Sequence, residues 1–310
     1  MNHFCTYFDK NFFLRGITAI LSIKKNLNES FFTILCLDDF TYQNIKKMNL
    51  DNIYLLKLSE ICDKYKILKL IKQNRSLVEF YFALTPFLID FCLKKKNIKQ
   101  INYIDADLIF VNDFANILSE SKKKIITLNP HRFSRKDTFR NKIHGKYNVG
   151  FLSFKKSNLA NNCINLWKKQ CTKSTSISPD LSGQVCGDQL YLNEWPKLFG
   201  KQFFFIINDI GFGPGAWNLN SYNFTIKNRE LYIDKKKLKM LHCNFIDFYN
   251  LRVFSGFKNK RSVNTYIYTK YKETFDLMKK KNINLKFSFF YKDFLLLLKN
   301  FLYLNVFFIR

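Results

Sequence analysis

No two cysteines in this chain have the Cys-x-x-Cys spacing of zinc ribbons or thioredoxin-like redox motifs. The 8 cysteines of the 310-residue chain are scattered, at positions 5, 36, 62, 92, 163, 171, 186 and 243. This pattern is typical of reduced cysteines in a protein core, and it argues against a disulfide framework or a zinc site. The first residues, Met1-Asn2-His3-Phe4, show no basic segment followed by an apolar run. We therefore expect no signal peptide and a cytoplasmic protein.

Acidic residues are scarce. The chain has 24 Asp and Glu against 51 Lys and Arg, a formal net charge of +27. Such a surplus implies attraction to anions, among them phosphorylated ligands, acidic glycans, anionic membranes and nucleic acids. The lysines are spread along the chain among many Asn, Ile and Phe residues, so a coding bias explains them equally well and the charge selects no single partner.

The first 60 residues predict the beginning of a parallel α/β sheet. Apolar runs at residues 3–8, 31–37 and 53–56 predict strands, and helical spacing at 12–25 and 41–48 predicts helices between them. These units contain neither GxGxxG nor GxxxxGK[ST], which excludes a Rossmann or P-loop phosphate cradle. The pattern further predicts helices at 59–72, 76–95, 113–119, 157–170 and from 187, and strands at 124–128, 147–154 and 239–242.

Two aspartates follow a short apolar run in the first half of the chain. The run Ile101-Asn-Tyr-Ile104 leads into Asp105-Ala106-Asp107. Carboxylates at this end of a central strand lie where ligands usually bind to an open α/β sheet. They suit one hard cation that a diphosphate would share. Alone, the pair is better explained as a strand end and a turn cap, since aspartate is common in turns.

Several other residues are candidates for a functional role, and a structural role can also explain them. Arg75 precedes a capping box formed by Ser76 and Glu79, and it is either a helix-start residue or an anion contact. The basic loop that follows strand 124–128 begins with His131 and Arg132, and it is long enough to cover an anion. Strand 147–154 holds a glycine, which often marks close approach of a ligand. Further candidates are Asn148, Gly150, Asp188 in a predicted first helical turn, and Trp217 and Asn218 in an irregular loop.

Five motifs in order resemble the family-8 glycosyltransferases and their bacterial relatives. They are Tyr103-Ile-Asp-Ala-Asp107, Asn148-Val-Gly150, Gly187-Asp-Gln189, Ala216-Trp-Asn218 and Leu241-His242. The resemblance covers residues 3 to 250. It implies a GT-A fold, an open and mostly parallel sheet flanked by helices, within a catalytic domain at 1–255. Two features depart from the family pattern: the segment from His242 to Phe245 has no glycine, and residues 79–86 have no arginine.

The resemblance also implies a function. It implies retaining transfer of a hexose from a nucleotide-diphospho-sugar, with UDP-glucose or UDP-galactose favoured, to a saccharide or lipid-linked saccharide, in cell-surface polysaccharide or lipopolysaccharide synthesis. Asp105, Asp107 and His242 would hold Mn²⁺ or Mg²⁺, Asn148 and Asp188 would contact the donor sugar, and Gln189 would lie near the anomeric carbon. Donor contacts are expected at Thr6, Tyr7, Asp9 and Ala106, and phosphate or acceptor contacts at Arg75, His131, Arg132, Trp217 and Asn218.

Sugar transfer from a nucleoside diphosphate requires residues of these types. A divalent metal neutralises the charge that develops on the departing phosphate, and the transition state at the anomeric carbon is oxocarbenium-like. Gln189 has no proton that titrates near neutral pH, so it cannot be a general base. A two-step covalent route would need a carboxylate, for which Asp188 is the candidate.

Residues 256–310 form a basic, aromatic-rich segment that we expect to be helical. Lysines and polar residues interrupt 286–310 too often for a membrane-spanning helix. Two interpretations are open: an interfacial helix on an anionic membrane, on the inner face of the cytoplasmic membrane, or a helix docked on the catalytic domain.

Two other functions are open. A metal-dependent nucleotidyltransferase would usually carry a Gly-rich phosphate loop near the N-terminus. A non-enzymatic basic protein that binds membrane or nucleic acid would explain the charge, but not the acidic pair or the ordered motifs. We expect no specific nucleic-acid partner.

Overall fold

The fold is described from a computed structural model, which describes residues 1–178, 187–228, 230–244, 246–249, 253–255, 257, 260–285 and 306–308. Its strands are β1 Asn2–Phe8, β2 Ser30–Cys36, β3 Ile53–Lys57, β4 Gln100–Ile104, β5 Leu108–Phe110, β6 Ile126–Pro130, β7 Tyr147–Lys155, β8 Phe204–Ile206, β9 Phe212–Gly215, β10 Phe224–Lys227, β11 Glu230–Ile233, β12 Lys236–Lys237, β13 Met240–His242, β14 Asp247–Tyr249, β15 Val253–Ser255 and β16 Val306–Phe308. Its α-helices are α1 Phe13–Asn26, α2 Asp39–Met48, α3 Leu58–Lys64, α4 Ile67–Asn74, α5 Leu77–Leu93, α6 Ala115–Lys122, α7 Arg140–His144, α8 Asn158–Lys173, α9 Trp195–Phe199 and α10 Arg261–Lys280.

Seven strands form the central sheet, in the order β3-β2-β1-β4-β7-β6-β8. The pairs β3/β2, β2/β1, β1/β4 and β6/β8 are parallel, and only β7 runs antiparallel to its neighbours β4 and β6. The sheet is therefore open and mostly parallel, as the sequence predicts.

Each face of this sheet is covered by its own hydrophobic core. Phe4 and Phe8 of β1 belong to a core shared with α1, α2, α6 and α10, whereas Cys5 belongs to a core shared with α3, α4, α5, α8 and α9. Successive side chains of a strand point to opposite faces, so a strand buried on both sides is apolar without alternation. This explains the continuous apolar runs at β1, β2 and β4.

A small second sheet lies beside the end of the central one. Its order is β5-β13-β9, with β13 antiparallel to β5 and parallel to β9. The chain enters this sheet directly from β4 through Asp105, Ala106 and Asp107. Two further three-stranded sheets are β10-β11-β12 and β14-β15-β16.

Most predicted elements are confirmed within a few residues, and three differ. The helix predicted at 59–72 is split, because Tyr65 leaves helical geometry (φ −120°, ψ 79°) after α3 and its hydroxyl donates to Asp90 at 2.7 Å. The helix predicted from residue 187 begins at Leu190 as a 3-10 helix, and α9 follows it. The loop predicted at 211–219 contains strand β9.

The predicted C-terminal helix is present as α10. Val263, Ile267 and Tyr271 of α10 are buried in the same core as α1, and Thr18 donates a hydrogen bond to Thr274 at 2.9 Å. Residues 306–308 form strand β16 rather than helix, and the rest of 286–310 lies outside the described residues. Within the described part of the chain, no helix has the length and apolar character needed to cross a bilayer.

Candidate functional site

Asp105, Asp107 and His242 form one cluster at the end of strand β4. Nε2 of His242 lies 3.1 Å from Oδ1 of Asp107 and 3.9 Å from Oδ2 of Asp105. One ligand atom from each residue can be chosen so that all three lie within 4.8 Å of one another. The cluster therefore offers two carboxylates and one imidazole to a common point.

Strand pairing explains how residues so far apart in sequence meet. In the antiparallel pair β5/β13, His242 stands opposite Leu108, and the N–H of Cys243 donates to the carbonyl of Asp107 at 2.8 Å. This register places His242 beside Asp107. The ring of His242 is further fixed by an edge-to-face contact with Trp217, 5.1 Å between ring centroids.

The three side chains shift one another's pKa values. Burial, and next the negative charge of Asp107, raise the pKa of Asp105 to about 6. Burial alone would raise the pKa of Asp107, but attraction to His242 and the hydrogen bond from its ring lower it below its usual value. Burial would lower the pKa of His242, and attraction to Asp107 and Asp105 outweighs it and raises that pKa. Such mutual perturbation is typical of functional sites.

Tyr103 supports the cluster from strand β4. Its hydroxyl donates a hydrogen bond to Oδ1 of Asp105 at 2.7 Å, and the residue is 1% exposed. The backbone N–H of Asp105 donates to the carbonyl of Gly150 at 2.9 Å. Both contacts fix the carboxylate of Asp105 in place.

Asn148 and Gly150 reach the cluster from β7, which is antiparallel to β4. Oδ1 of Asn148 accepts a hydrogen bond from the Gly150 N–H at 2.8 Å, and its amide nitrogen lies 3.3 Å from Nε2 of His131. A Cβ atom at position 150 would lie 2.5 Å from that Asn148 oxygen and 2.8 Å from Nδ1 of His242. Only glycine allows this close approach.

His131 is a buried, neutral imidazole. Burial lowers its pKa to about 3. Nδ1 of His131 lies 2.8 Å from the carbonyl of Gly145, so this nitrogen carries the proton and Nε2 accepts from Asn148. His131 therefore orients the amide of Asn148.

Asp188 lies in the turn before the 3-10 helix Leu190–Glu194. Its backbone carbonyl accepts from the Trp167 indole at 2.9 Å, and its Oδ2 accepts from the Thr85 hydroxyl at 3.2 Å. Burial, and next repulsion from Asp105, raise the pKa of Asp188 to about 8. Burial and this repulsion therefore favour the protonated form of the carboxyl in the ligand-free protein.

A cavity of about 760 Å³ unites most of these residues, within the size range of ligand pockets. The predicted site residues that line it are Tyr7, Asp9, Ala106, Asp105, Asp107, His131, Asn148, Asp188, Gln189, Trp217 and His242. A second cavity of similar volume shares Leu37 with it and is lined by none of the predicted site residues.

Besides Gly150, four predicted residues do not line this cavity. Arg75 donates to the carbonyls of Cys171 and Thr172 at the end of α8. Arg132 donates to the carbonyls of Ile207, at 2.7 Å, and Phe212, at 3.0 Å. Both guanidinium groups thus tie backbone segments together.

The other two are Thr6 and Asn218. Thr6 is buried within β1. Asn218 donates to the His131 carbonyl at 2.8 Å and accepts from the Gly215 N–H at 3.0 Å. Its role in the structure is to hold the loop that carries Trp217.

Several residues that line the cavity were not predicted. They include Phe12, Leu77, Val78, Tyr81, Phe82, Arg140, His144 and Ile177. Four of them lie on helix α5, which is apolar along most of its length, but this character indicates burial and does not show which of its residues face an opening.

The cluster suits a divalent cation. Two carboxylates and an imidazole are ligands that Mn²⁺ accepts, and Mg²⁺ is bound in the same way by carboxylates and substrate phosphates. Nδ1 of His242 is buried without a hydrogen-bond partner among the described residues, so the ring is held by its packing and by the carboxylates that face Nε2. The residues present therefore fit a metal site.

No protein-family model matches the chain. Uncharacterized protein YfnD of Bacillus subtilis (strain 168) is 25% identical over 241 residues, which span 77% of this chain and 76% of YfnD. Galactosyltransferase LgtC, solved in complex with donor and acceptor sugar analogues, superposes with a TM-score of 0.52 at 13% identity, over 77% of this chain and 86% of LgtC. The glycosyltransferase GlyE of Streptococcus pneumoniae TIGR4, in its apo form, gives a TM-score of 0.52 at 14% identity, over 92% of this chain and 64% of GlyE. The chain therefore has the GT-A fold, which it shares with these glycosyltransferases.

Proposed function

We propose that this protein is a retaining glycosyltransferase that moves a hexose from a nucleotide-diphospho-sugar to a saccharide or glycolipid acceptor. The observation that carries the proposal is the meeting of Asp105, Asp107 and His242 with Asn148, Asp188 and Gln189 in one cavity of a GT-A fold. UDP-glucose and UDP-galactose are the favoured donors. Synthesis of a cell-surface polysaccharide or lipopolysaccharide is the proposed setting.

Asp105, Asp107 and His242 would hold Mn²⁺ or Mg²⁺. When bound, such an ion neutralises the negative charge of the departing diphosphate. The two carboxylates are partly buried and close together, and burial and their mutual repulsion raise the pKa of Asp105 to about 6. A nearby cation would relieve this repulsion, which is a reason for the chain to bind one.

The remaining cavity residues suit the donor. Asn148, with its amide oriented by His131, and Asp188, whose carboxyl lines the same cavity, would bind hydroxyls of the donor sugar. Tyr7 and Asp9 stand at the end of β1, where the nucleotide would lie. The Tyr7 hydroxyl already donates to the Tyr81 carbonyl at 2.8 Å, so Tyr7 offers its ring rather than its hydroxyl.

The reaction breaks the bond between the anomeric carbon and the diphosphate oxygen, and that oxygen keeps the electron pair. The acceptor hydroxyl bonds to the anomeric carbon on the same face and gives its proton to the leaving phosphate. Gln189 is a neutral amide and can orient the acceptor or the sugar without taking a proton. The Asp188 carboxyl accepts a hydrogen bond from Thr85, and we assign it to binding the donor sugar rather than to a covalent intermediate.

Turnover of a panel of nucleotide sugars, with Mn²⁺, Mg²⁺ or EDTA, tests the proposal. We expect metal-dependent hydrolysis and transfer, with retention of anomeric configuration by NMR. Asp107→Ala should abolish both, and Glu120→Ala, which removes an exposed carboxylate that pairs with Lys123, should abolish neither. Unchanged turnover in Asp107→Ala, or no turnover of any donor by the wild type, would contradict the proposal.

A further inference from the structure

The mouth of the cavity is unusually apolar. Twelve large apolar side chains are exposed among the described residues, and four of them line this one cavity. These four, here called the apolar rim, are Phe12, Leu77, Val78 and Ile177, with exposed fractions of 42%, 55%, 47% and 45%. Exposed apolar groups that gather at one opening mark a site of interaction with an apolar ligand or surface.

The residues of the apolar rim come from separate segments of the chain. Phe12 ends the 3-10 helix after β1, Leu77 and Val78 open α5, and Ile177 follows α8. The segment with Ile177 is pinned to the start of α5, because the Thr175 hydroxyl donates to the Glu79 carbonyl at 2.6 Å. The fold thus brings three separate segments together around the opening.

Folding does not account for the exposure of Leu77 and Val78. They occupy the first two positions of α5, after the capping residue Ser76, where polar and acidic side chains are favoured. The capping box is complete without them, since Ser76 and Glu79 bond to each other's backbone. Their apolar character therefore contributes little to the stability of the helix.

A basic segment, residues 131–146, borders the same opening. It contains 6 Lys and Arg residues and a single acid, Asp137, and Arg140 and His144 line the cavity. Arg135, Lys136, Lys142 and Lys146 are exposed. Exposed Phe139, next to Arg140, adds an apolar group to this positively charged border.

From the apolar rim and the basic segment we infer the class of the acceptor: a saccharide joined to a lipid through a phosphate. The inference rests on the proposed transferase function and names the acceptor of that same site. The sugar end enters the cavity toward Asp105, Asp107 and His242. The phosphate meets the basic segment, and the first apolar units of the lipid lie on the rim. A free saccharide would leave the apolar rim in water and would bring no anion to the basic segment.

Three acceptor series that share the same sugars test this inference: farnesyl phosphate esters of glucose, galactose and N-acetylglucosamine, farnesyl glycosides without phosphate, and methyl glycosides. With the donor found by hydrolysis, we expect the KM of the wild type for a farnesyl phosphate ester to be about tenfold or more below that for the matching methyl glycoside. The farnesyl glycoside should fall between them. Equal KM values for all three series would overturn the inference while leaving the transferase function intact. No donor turnover at all would instead refute the proposed function.

The double variant Leu77→Ser/Val78→Ser tests whether the apolar rim causes the low KM for the farnesyl phosphate ester. The double variant should raise the KM for the farnesyl phosphate ester about tenfold, with an unchanged thermal unfolding midpoint. The matched control, Leu70→Ser/Ile226→Ser, removes two exposed apolar side chains that do not line the cavity, and should leave that KM unchanged. Equal KM values for the rim variant and the control would overturn the role of the rim.

A membrane surface is the alternative partner of the apolar rim. Flotation with phosphatidylcholine/phosphatidylglycerol vesicles, in the absence of acceptor, separates the two. If Leu77→Ser/Val78→Ser lost vesicle binding but kept the wild-type KM for the farnesyl phosphate ester, the rim would be a membrane contact and the inference would be wrong. Vesicle binding that is equal in this variant and the wild type, with the raised KM, supports the acceptor.

Discussion

His242 lies opposite Leu108 across the β5/β13 pair, and this register brings its Nε2 to 3.1 Å from Oδ1 of Asp107. The family pattern has a glycine shortly after this histidine, and this chain has none. The His242 ring still reaches Asp107, because backbone pairing and the contact with Trp217 position it. His242 is therefore available to the same cation as the two aspartates.

Replacing His242 by alanine should weaken metal binding. Removal of a residue that merely supports a ligand typically costs about 10- to 100-fold in affinity, and loss of a ligand should cost at least as much. We expect His242→Ala to reduce Mn²⁺ affinity by about 100-fold, measured by electron paramagnetic resonance titration. His3→Ala, at the start of β1 and outside the cavity, is the control. Equal affinities in the two variants would remove His242 from the site.

Gly150→Ala should damage the same site by crowding it. The added Cβ would meet the Asn148 side chain at 2.5 Å and the His242 ring at 2.8 Å, and overpacking of this kind costs about 1–3 kcal/mol of stability. We expect lower Mn²⁺ affinity and lower stability together. Ser153→Ala, on the same strand, loses the hydrogen bond from Gln100 and should lower stability alone. Normal Mn²⁺ affinity in Gly150→Ala would show that the ring can move without cost.

Stability should fall as pH rises, in part because of Asp188. The pKa of this carboxyl is about 8 in the folded protein, against 3.8 for an unperturbed aspartate. Between these values the folded chain holds a proton that the unfolded chain has lost, so raising the pH through this window favours unfolding. Asp105, with a pKa of about 6, adds an effect of the same sign over the lower part of the window.

Urea unfolding at pH 5 and pH 8, in EDTA, measures this dependence of stability on pH. The free energy of unfolding should decrease less between the two pH values in Asp188→Asn than in the wild type. Glu120→Gln, which changes an exposed carboxyl, should behave like the wild type. The same pH dependence in all three proteins would mean that Asp188 is ionised in the folded state.

Arg75 and Arg140 should show opposite behaviour on substitution. Arg75 donates to the Cys171 carbonyl and to the Thr175 hydroxyl, so Arg75→Ala should lose about 2 kcal/mol of stability and keep the wild-type donor KM. Arg140 lines the cavity, and its pair with Asp137 is 3.9 Å long and half-exposed. Arg140→Ala should keep its stability and raise the acceptor KM. Denaturant unfolding and steady-state kinetics of both variants decide the matter.

The sequence predicted the central sheet because its strands are buried on both faces and separated by amphipathic helices. The strand before Asp105, and Asn148 and Gly150 within β7, could be placed for the same reason. Asp105 and Asp107 could be named as ligands only through the resemblance of five ordered motifs, because an Asp-x-Asp after a buried strand is by itself typical of a turn.

Features that depend on contacts between distant segments could not be predicted in this way. The register of β13 on β5 is set by pairing across about 130 residues. Arg132 read as an anion contact, yet four neighbouring carbonyl and amide oxygens surround its guanidinium. Leu77 and Val78 fall within the helix predicted at 76–95, and nothing in the neighbouring sequence shows that they face an opening.

Tyr103→Phe should weaken the metal site while leaving the fold intact. The substitution removes only the hydroxyl that donates to Asp105 at 2.7 Å, and the ring remains in the core. Without that donor the ionised form of Asp105 is less stabilised, so its pKa should rise further and Mn²⁺ affinity should fall by about tenfold. The loss of affinity should be larger at pH 6 than at pH 8, because a proton competes with the metal for this carboxyl at the lower pH. Tyr65→Phe is a matched control: it removes a tyrosine–aspartate hydrogen bond of the same length, to Asp90, outside the cavity. If both variants bound Mn²⁺ equally well at both pH values, Tyr103 would be a core residue without influence on the metal ligands.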